Sequence, residues 1–173
     1  IGFQRDDKID TFEFKTTSSE VLVTLVPTTI AQLSPSNKLT SWIIGDSLAT
    51  TPGESLLNKL SVDTFDVYGL DSRVSTGFAR PDFFNWASNI QDFVTTRKPK
   101  TIIISIGAND DQSIFIDGNS VGPFASNDWK DAYLRRINAT LDFTQAYGIH
   151  VFWVEIPPVR DPVRNDRYKT IND

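Results

Sequence analysis

Ser41-Trp-Ile-Ile-Gly-Asp-Ser-Leu-Ala49 is the stretch that decides how the chain is read. Leu39, Trp42, Ile43 and Ile44 form an apolar run that stops at Gly45-Asp46-Ser47, after which Leu48 and Ala49 turn toward a helix. A short apolar run closed by glycine fits a buried strand. A strand that ends in glycine and serine puts the hydroxyl at the carboxyl edge of a sheet, the edge where open α/β folds bind ligands. Gly45 allows a tight turn there, and the N–H groups after Ser47 can face a developing negative charge. Ser47 is therefore a candidate nucleophile. Taken alone, the stretch is better explained by a serine that caps the following helix, so the assignment depends on what the neighbouring strand ends carry.

Outward from this stretch, strand and helix signals alternate. Glu54-Ser-Leu-Leu-Asn-Lys-Leu60, after Pro52-Gly53, has the spacing of a helix with Leu56, Leu57 and Leu60 on one face. Thr64–Tyr68 is a second short strand and 69–81 a long loop. Residues 82–96 place Phe83, Trp86, Ile90, Phe93 and Val94 at helical spacing, which predicts a core-facing helix. Thr101-Ile-Ile-Ile-Ser-Ile106 is an apolar strand ending at Gly107, followed by a polar loop to Asn127. Asp128 is the expected N-cap of a helix to about Tyr147, with Gly148 as its stop. Ile149–Ile156 is a fourth strand, closed by Pro157-Pro158. Apolar strands alternating with amphipathic helices predict an α/β fold, a mainly parallel sheet with helices on both faces. Residues 1–38 differ: Thr11–Lys15 and Glu20–Val26 alternate in part, so this segment is expected to be an N-terminal extension with some β-structure, and 39–173 the main domain.

Parallel strands point the same way, so their carboxyl ends lie side by side. The first ends in Gly45-Asp46-Ser47; after the second comes Asp71-Ser-Arg-Val-Ser-Thr-Gly77-Phe-Ala-Arg80-Pro81; the third ends in Gly107-Ala-Asn109-Asp110. Together they supply a hydroxyl, a glycine N–H that can approach closely and a carboxamide donor. Acyl transfer needs such a set, a nucleophile plus donors aimed at the oxyanion of the tetrahedral intermediate.

Gly45-Asp-Ser-Leu48, Gly77 and Gly107-Ala-Asn-Asp110 resemble, in order and spacing, the first three blocks of the GDSL, or SGNH, hydrolases. The resemblance covers about residues 39–160. With Ser75-Thr-Gly-Phe-Ala-Arg-Pro-Asp-Phe-Phe-Asn-Trp86 and Pro157-Pro-Val-Arg160, the chain looks like a poorly characterised bacterial branch of that superfamily. The resemblance implies a three-layer, flavodoxin-like sandwich and a serine esterase or acyltransferase. Ser47 would be the nucleophile; the N–H groups of Ser47 and Gly77 and the side-chain amide of Asn109 would form the oxyanion hole. It also implies small acyl esters as substrates, O-acetyl groups on cell-envelope carbohydrate foremost, and a periplasmic or otherwise extracytoplasmic location.

One block has no counterpart. The family's Asp-x-x-His, which supplies the base and the group that orients it, is missing from residues 1–173. The sole histidine, His150, begins the fourth strand at the opposite edge from Ser47 and is expected to be structural. Two readings follow. Either the catalytic Asp and His, with a last strand and helix, lie beyond residue 173, on the same protein or on a companion fragment, or the domain is an inactive module that binds acylated glycan or scaffolds a partner. The first is preferred, because a sheet stopping after four strands leaves an edge unfinished.

Arg80, Asp46 and Asp110 are the expected substrate-binding residues. For Arg80 a structural ion pair is an equal alternative; for the two aspartates the preferred role is to hydrogen-bond loop backbone and hold the site in shape. No cofactor or metal is expected. Asp46 and Asp110 lack histidine neighbours, and Asp111–Gly118 does not follow the calcium-loop pattern. Trp86 and Phe83 are expected in the core rather than as sugar platforms. Asn138-Ala-Thr140 fits a glycosylation acceptor but falls mid-helix.

Bulk properties agree with one soluble globular domain: 39% hydrophobic and 23% charged residues. A net charge of -5 argues against nucleic acid or an anionic membrane as partner. The absence of cysteine excludes disulfides and thiolate chemistry. There is no methionine, so Ile1 is not expected to be a native start; sequence is expected upstream of it, and a signal peptide or membrane anchor could lie there. Any membrane attachment would run through such a segment, since no apolar run approaches the roughly 20 residues of a spanning helix.

Overall fold

A computed structural model of the chain describes residues 36–60 and 62–173, and the strands expected before residue 27 lie outside the described residues. Four strands form one parallel sheet in the order β2-β1-β3-β6. They are β1 (Leu39–Gly45), β2 (Phe65–Ser72), β3 (Thr101–Ser105) and β6 (His150–Trp153). The alternation of the pleat sorts their side chains. Trp42 sits beside Ile102 and Val151, and Ile44 beside Ile104 and Trp153, all on one face. That face is covered by α2 (Trp86–Arg97) and α3 (Asn127–Ala146), through Trp86, Ile90 and Val94 from the first and Trp129, Ala132 and Tyr133 from the second. Ile44, Ile90, Ile102 and Ile104 are fully buried, and each contributes about 1.5–3 kcal/mol by leaving water. Ile43 points the other way, toward α1 (Thr50–Lys59). The α/β class, the parallel sheet and helices on both faces are as expected.

Several boundaries moved. The helix expected from Glu54 begins at Thr50, directly after a single 3-10 turn at Ser47–Ala49. Pro52 is tolerated because it falls in the first turn, where no N–H is needed. Gly53 is buried against Leu70: a methyl there would come 2.8 Å from Leu70 Cδ1, so the glycine sets how closely α1 packs on β2. Strand β2 runs on to Ser72 instead of stopping at Tyr68. The register with β1 slips between Ser41 and Ile43, and Gly69 takes up the irregularity at φ +126°. The helix expected from Asp82 starts at Trp86, capped by the Asn85 side chain on the Ser88 N–H at 3.1 Å. Phe83 is consequently not a core residue; it lies in the preceding turn, 62% exposed.

The α3 cap is Ser126, two residues before the expected Asp128. The supposedly featureless loop before it holds a small antiparallel hairpin, β4 (Phe115–Ile116) and β5 (Asn119–Ser120). Its Asp117-Gly118 turn, with φ +50° and +78°, has the left-handed pair that a two-residue hairpin requires. A final helix, α4 (Pro162–Asn172), has no counterpart in the sequence reading, although Asp161-Pro162 is a cap followed by proline at the first helical position. Its Tyr168 packs with Ala108, Ile156 and Leu48, so α4 supports the turns that follow β1 and β3.

Candidate active site

Gly45 ends β1 against the neighbouring strand. A methyl there would come within 3.0 Å of the Ser105 carbonyl carbon and closer still to its oxygen, so only glycine fits. The next residue decides what Ser47 is. The cap of the following turn is Asp46, whose Oδ1 accepts from the Leu48 N–H at 2.8 Å. Ser47 therefore has no capping duty, and it is exposed. The other oxygen of Asp46 accepts from the N–H groups of Gly107 at 3.1 Å and Ala108 at 3.0 Å. One fully buried carboxylate thus binds the Ser47 turn to the loop carrying Asn109. Burial raises its pKa, opposed by those three N–H groups.

The second strand's loop is tied to both of the others. The Arg73 N–H donates to the Gly45 carbonyl at 2.9 Å, directly beside the Ser47 turn. Thr76 donates its hydroxyl to the Arg73 carbonyl at 2.6 Å and receives the Trp86 indole N–H at 2.9 Å. Its carbonyl accepts from Asn109 Nδ2 at 2.9 Å. A carboxamide nitrogen carries two N–H groups, so the bond to Thr76 leaves Asn109 one donor for a ligand, next to the Gly77 peptide.

Asp110 completes the frame. It is fully buried, and it accepts from the Phe78 N–H at 3.0 Å, the Ala79 N–H at 2.7 Å and the Tyr133 hydroxyl at 2.8 Å. Its carboxylate lies so close to Gly77 that a methyl on that residue would come within 2.7 Å of Asp110 Cγ. Burial pushes the Asp110 pKa up to about 6, against the lowering effect of its N–H and hydroxyl donors. Burial also raises the Tyr133 phenol well above its ordinary value, reinforced by the negative charge of Asp110.

The three loops that carry Ser47, Gly77 and Asn109 are therefore linked to one another at one edge of the sheet. Asp46 and Asp110, expected at the substrate, are a correction. Both are 0% exposed with their oxygens occupied by loop donors, so they shape the site and do not reach a ligand. Arg80 forks onto Asp82 at 2.7–3.1 Å in an exposed pair. Its guanidinium is thus engaged by the structural alternative. His150 pairs in register with Thr101, four positions before the Ser105 that pairs with Gly45, and two strands away. At about 3.3 Å per residue and 4.8 Å per strand, that puts it roughly 15 Å or more from Ser47. No group of metal-ligating side chains occurs among the described residues. No described helix is long and apolar enough to cross a membrane. A cavity of about 460 Å³ between α3, β6 and α4 is lined by Trp129, Tyr133, Trp153 and Ile171, and not by Ser47, Gly77 or Asn109.

Sequence reasoning missed the part played by α3. Arg136 donates to the carbonyls of Phe78 at 2.9 Å and Ala79 at 2.8 Å, and to that of Phe115 at 3.2 Å. Trp129, Tyr133 and Arg136 stand one, two turns apart on one helix face, and that spacing is visible in the sequence. Nothing in it says which loops they reach.

Residues 40–173 match the family described as a protein of unknown function, DUF459. The chain belongs to that family. No curated protein matches it. Among solved structures, this DUF459 chain is similar to the psychrotrophic esterase EstA from a Pseudoalteromonas species, in a form inhibited by monoethylphosphonate, with 18% identity and a TM-score of 0.48 over 78% of this chain and 70% of that one. It is also similar to a GDSL-like lipase from Bacteroides thetaiotaomicron, with 14% identity and a TM-score of 0.46 over 77% of this chain and 57% of the lipase. The DUF459 chain thus spans only part of the length of either protein. Its own sheet is parallel, in the order β2-β1-β3-β6, and the three sequence blocks follow its three neighbouring strands β1, β2 and β3.

Proposed function

We propose that this DUF459 domain is the nucleophile-bearing part of a serine ester hydrolase or acyltransferase. The observation that carries the reading is the cap at Asp46: that carboxylate, and not the serine, caps the turn at Ser47–Ala49, and Ser47 is exposed on a turn tied to the Asn109 loop. In the proposed reaction Ser47 Oγ attacks the ester carbonyl while its proton passes to a base. The carbonyl oxygen, now an anion, is met by the N–H groups of Ser47 and Gly77 and by Asn109 Nδ2. The C–O bond to the alcohol then breaks, the alcohol takes the proton from the base, and the acyl group remains on Ser47. Water, or a sugar hydroxyl in the transferase variant, repeats the sequence and restores the serine. His150 is at the wrong end of the sheet for the base, so the base is assigned to an Asp–His pair outside residues 1–173. By the family resemblance the proposed substrates are small esters, O-acetyl groups on cell-envelope carbohydrate among them, and an acidic chain without a greasy lid-like segment suits these better than long-chain lipid.

A second reading has one observation in its favour, the lack of histidine on the Ser47 side. In it the domain binds acylated glycan without turning it over. One experiment separates the two. The full-length protein and its Ser47→Ala variant are assayed for p-nitrophenyl acetate hydrolysis and for labelling by a fluorophosphonate, with the adduct mapped. Hydrolysis and a Ser47 adduct in the parent, both lost in the variant at unchanged melting temperature, support the enzyme. Equal hydrolysis in parent and variant removes Ser47 from the chemistry.

A further inference from the structure

We infer that the Gly77 donor is aimed by a two-sided clamp on the Phe78–Ala79 segment, Asp110 of the third block on one side and α3, outside the three blocks, on the other, with Arg136 and Tyr133 as positioning residues. The inference deepens the proposed ester chemistry and, in its catalytic part, rests on it.

The geometry is unusual in its completeness. Two consecutive residues after Gly77 have both their N–H groups and both their carbonyls engaged by side chains. Asp110 takes the N–H of Phe78 and of Ala79. Arg136 Nη1 donates to the carbonyl of each at 2.9 and 2.8 Å. Phe78 and Ala79 are only 4% and 1% exposed, so water is a poor substitute for any of these partners. A buried peptide held at its donors and its acceptors has no cheap rotation left. The Gly77 N–H is one peptide upstream, its direction set by the same frame, with the Asn109–Thr76 bond holding the other side.

The two halves of the clamp are coupled through α3. Tyr133, one turn before Arg136, donates to the same Asp110 oxygen that accepts from Phe78. Its ring stacks on Trp129, whose indole N–H donates to the Gln112 carbonyl at 2.7 Å, in the loop after Asp110. The second guanidinium nitrogen of Arg136 holds the Phe115 carbonyl in the hairpin. A planar fork can serve carbonyls on two segments in one orientation; an ammonium on a flexible stem cannot reproduce that. The charges around the clamp are Asp110 and Asp82, both of which favour the guanidinium, while burial works against it. Misaiming a donor, unlike removing substrate contacts, lowers transition-state stabilisation with little effect on ground-state binding.

The test uses the full-length protein and three variants: Arg136→Met, Arg136→Lys and Tyr133→Phe. Hydrogen exchange at the Phe78 and Ala79 amides is followed by NMR, together with kcat and KM for p-nitrophenyl acetate and thermal melts to correct for unfolding. Arg136→Met is expected to lower kcat by ~10–10² with KM within about threefold. Arg136→Lys should recover part of the loss, and Tyr133→Phe should cost less than Arg136→Met. Faster exchange confined to the Phe78–Ala79 region should accompany both Arg136→Met and Tyr133→Phe. The clamp is overturned by a folded Arg136→Met protein with the parent's kcat, or by unchanged exchange at those amides. If the parent hydrolyses no ester, the ester-chemistry reading fails by itself. The clamp is then judged on exchange alone, and protection equal to the parent's in Arg136→Met refutes it.

Discussion

Adding one methyl at Gly77 should damage this protein out of proportion to its size. The ideal Cβ would lie 2.7 Å from Asp110 Cγ and 3.0 Å from Oδ2, with Oδ1 nearer still. Comfortable contact between carbon atoms is about 3.5–4.0 Å, so roughly 1 Å of movement is needed. Either of two things can give way. If Asp110 retreats, it loosens its bonds to the Phe78 and Ala79 N–H groups, now 3.0 and 2.7 Å, and hydrogen bonds to a charged acceptor are worth about 1.5–3 kcal/mol each. Partial loss of both should lower stability by about 2–4 kcal/mol. If the loop retreats instead, the Gly77 N–H leaves its place by about 1 Å, and a displacement of that size can cost ~10² in turnover. Gly77→Ala is therefore measured by urea denaturation and by p-nitrophenyl acetate hydrolysis on the same preparation, and one of the two must move. Gly118→Ala is the control. Its Cβ meets nothing within 4 Å, but its φ of +78° makes the substitution strained by about 1 kcal/mol in the hairpin, away from the site. A Gly77→Ala protein within about 0.5 kcal/mol and twofold of the parent would refute the packing argument.

Asn109→Ala should lower kcat by ~10²–10³ with little change in KM, because the carboxamide acts on the transition state; a pure KM effect would reassign Asn109 to substrate binding. Asp110 makes stability depend on pH. Its folded pKa of about 6 lies above the unfolded 3.8, so the native state holds the extra proton between these values. Its contribution is complete below 3.8 and is lost as pH rises through about 6, a change of roughly 3 kcal/mol at most. Asp110→Asn should remove about 1.4 kcal/mol per pH unit of slope from urea melts taken across that window, while Asp46 retains its own contribution of the same sign. Identical slopes in parent and variant would show that Asp110 titrates as an ordinary carboxyl.

Much of the architecture was legible without coordinates. Trp42-Ile-Ile44, Ile102-Ile-Ile104 and the helix patterns at 83–94 and 133–143 are periodic enough that burial of apolar surface leaves one economical arrangement, a parallel sheet with helices on both faces. Gly45, Gly77 and Asn109 could be placed at strand ends because parallel strands share a direction. Boundaries were less legible where backbone rules bend. The helix expected after Pro52-Gly53 takes both into its first turns, and Gly69, expected to open the loop after β2, carries a bulge within it. The short signals Asp117-Gly118 and Asp161-Pro162 were present and went unread, hiding the hairpin and α4.

What the amino-acid order determined by itself is the set of groups available: a hydroxyl after a strand, glycines at the turns, a carboxamide, and a single histidine at the start of the fourth strand, the opposite edge from Ser47. What only the tertiary structure decided is which carboxylates touch which amides. Asp46 spans 61 residues to reach Gly107, and Asp110 reaches back 32 to Phe78. Such contacts depend on how strands align side by side and on where α3 lands over the sheet, quantities set by the packing of the whole core. No local pattern encodes them: that the two aspartates would hold loop backbone could be read from the sequence, but which amides each one holds could not.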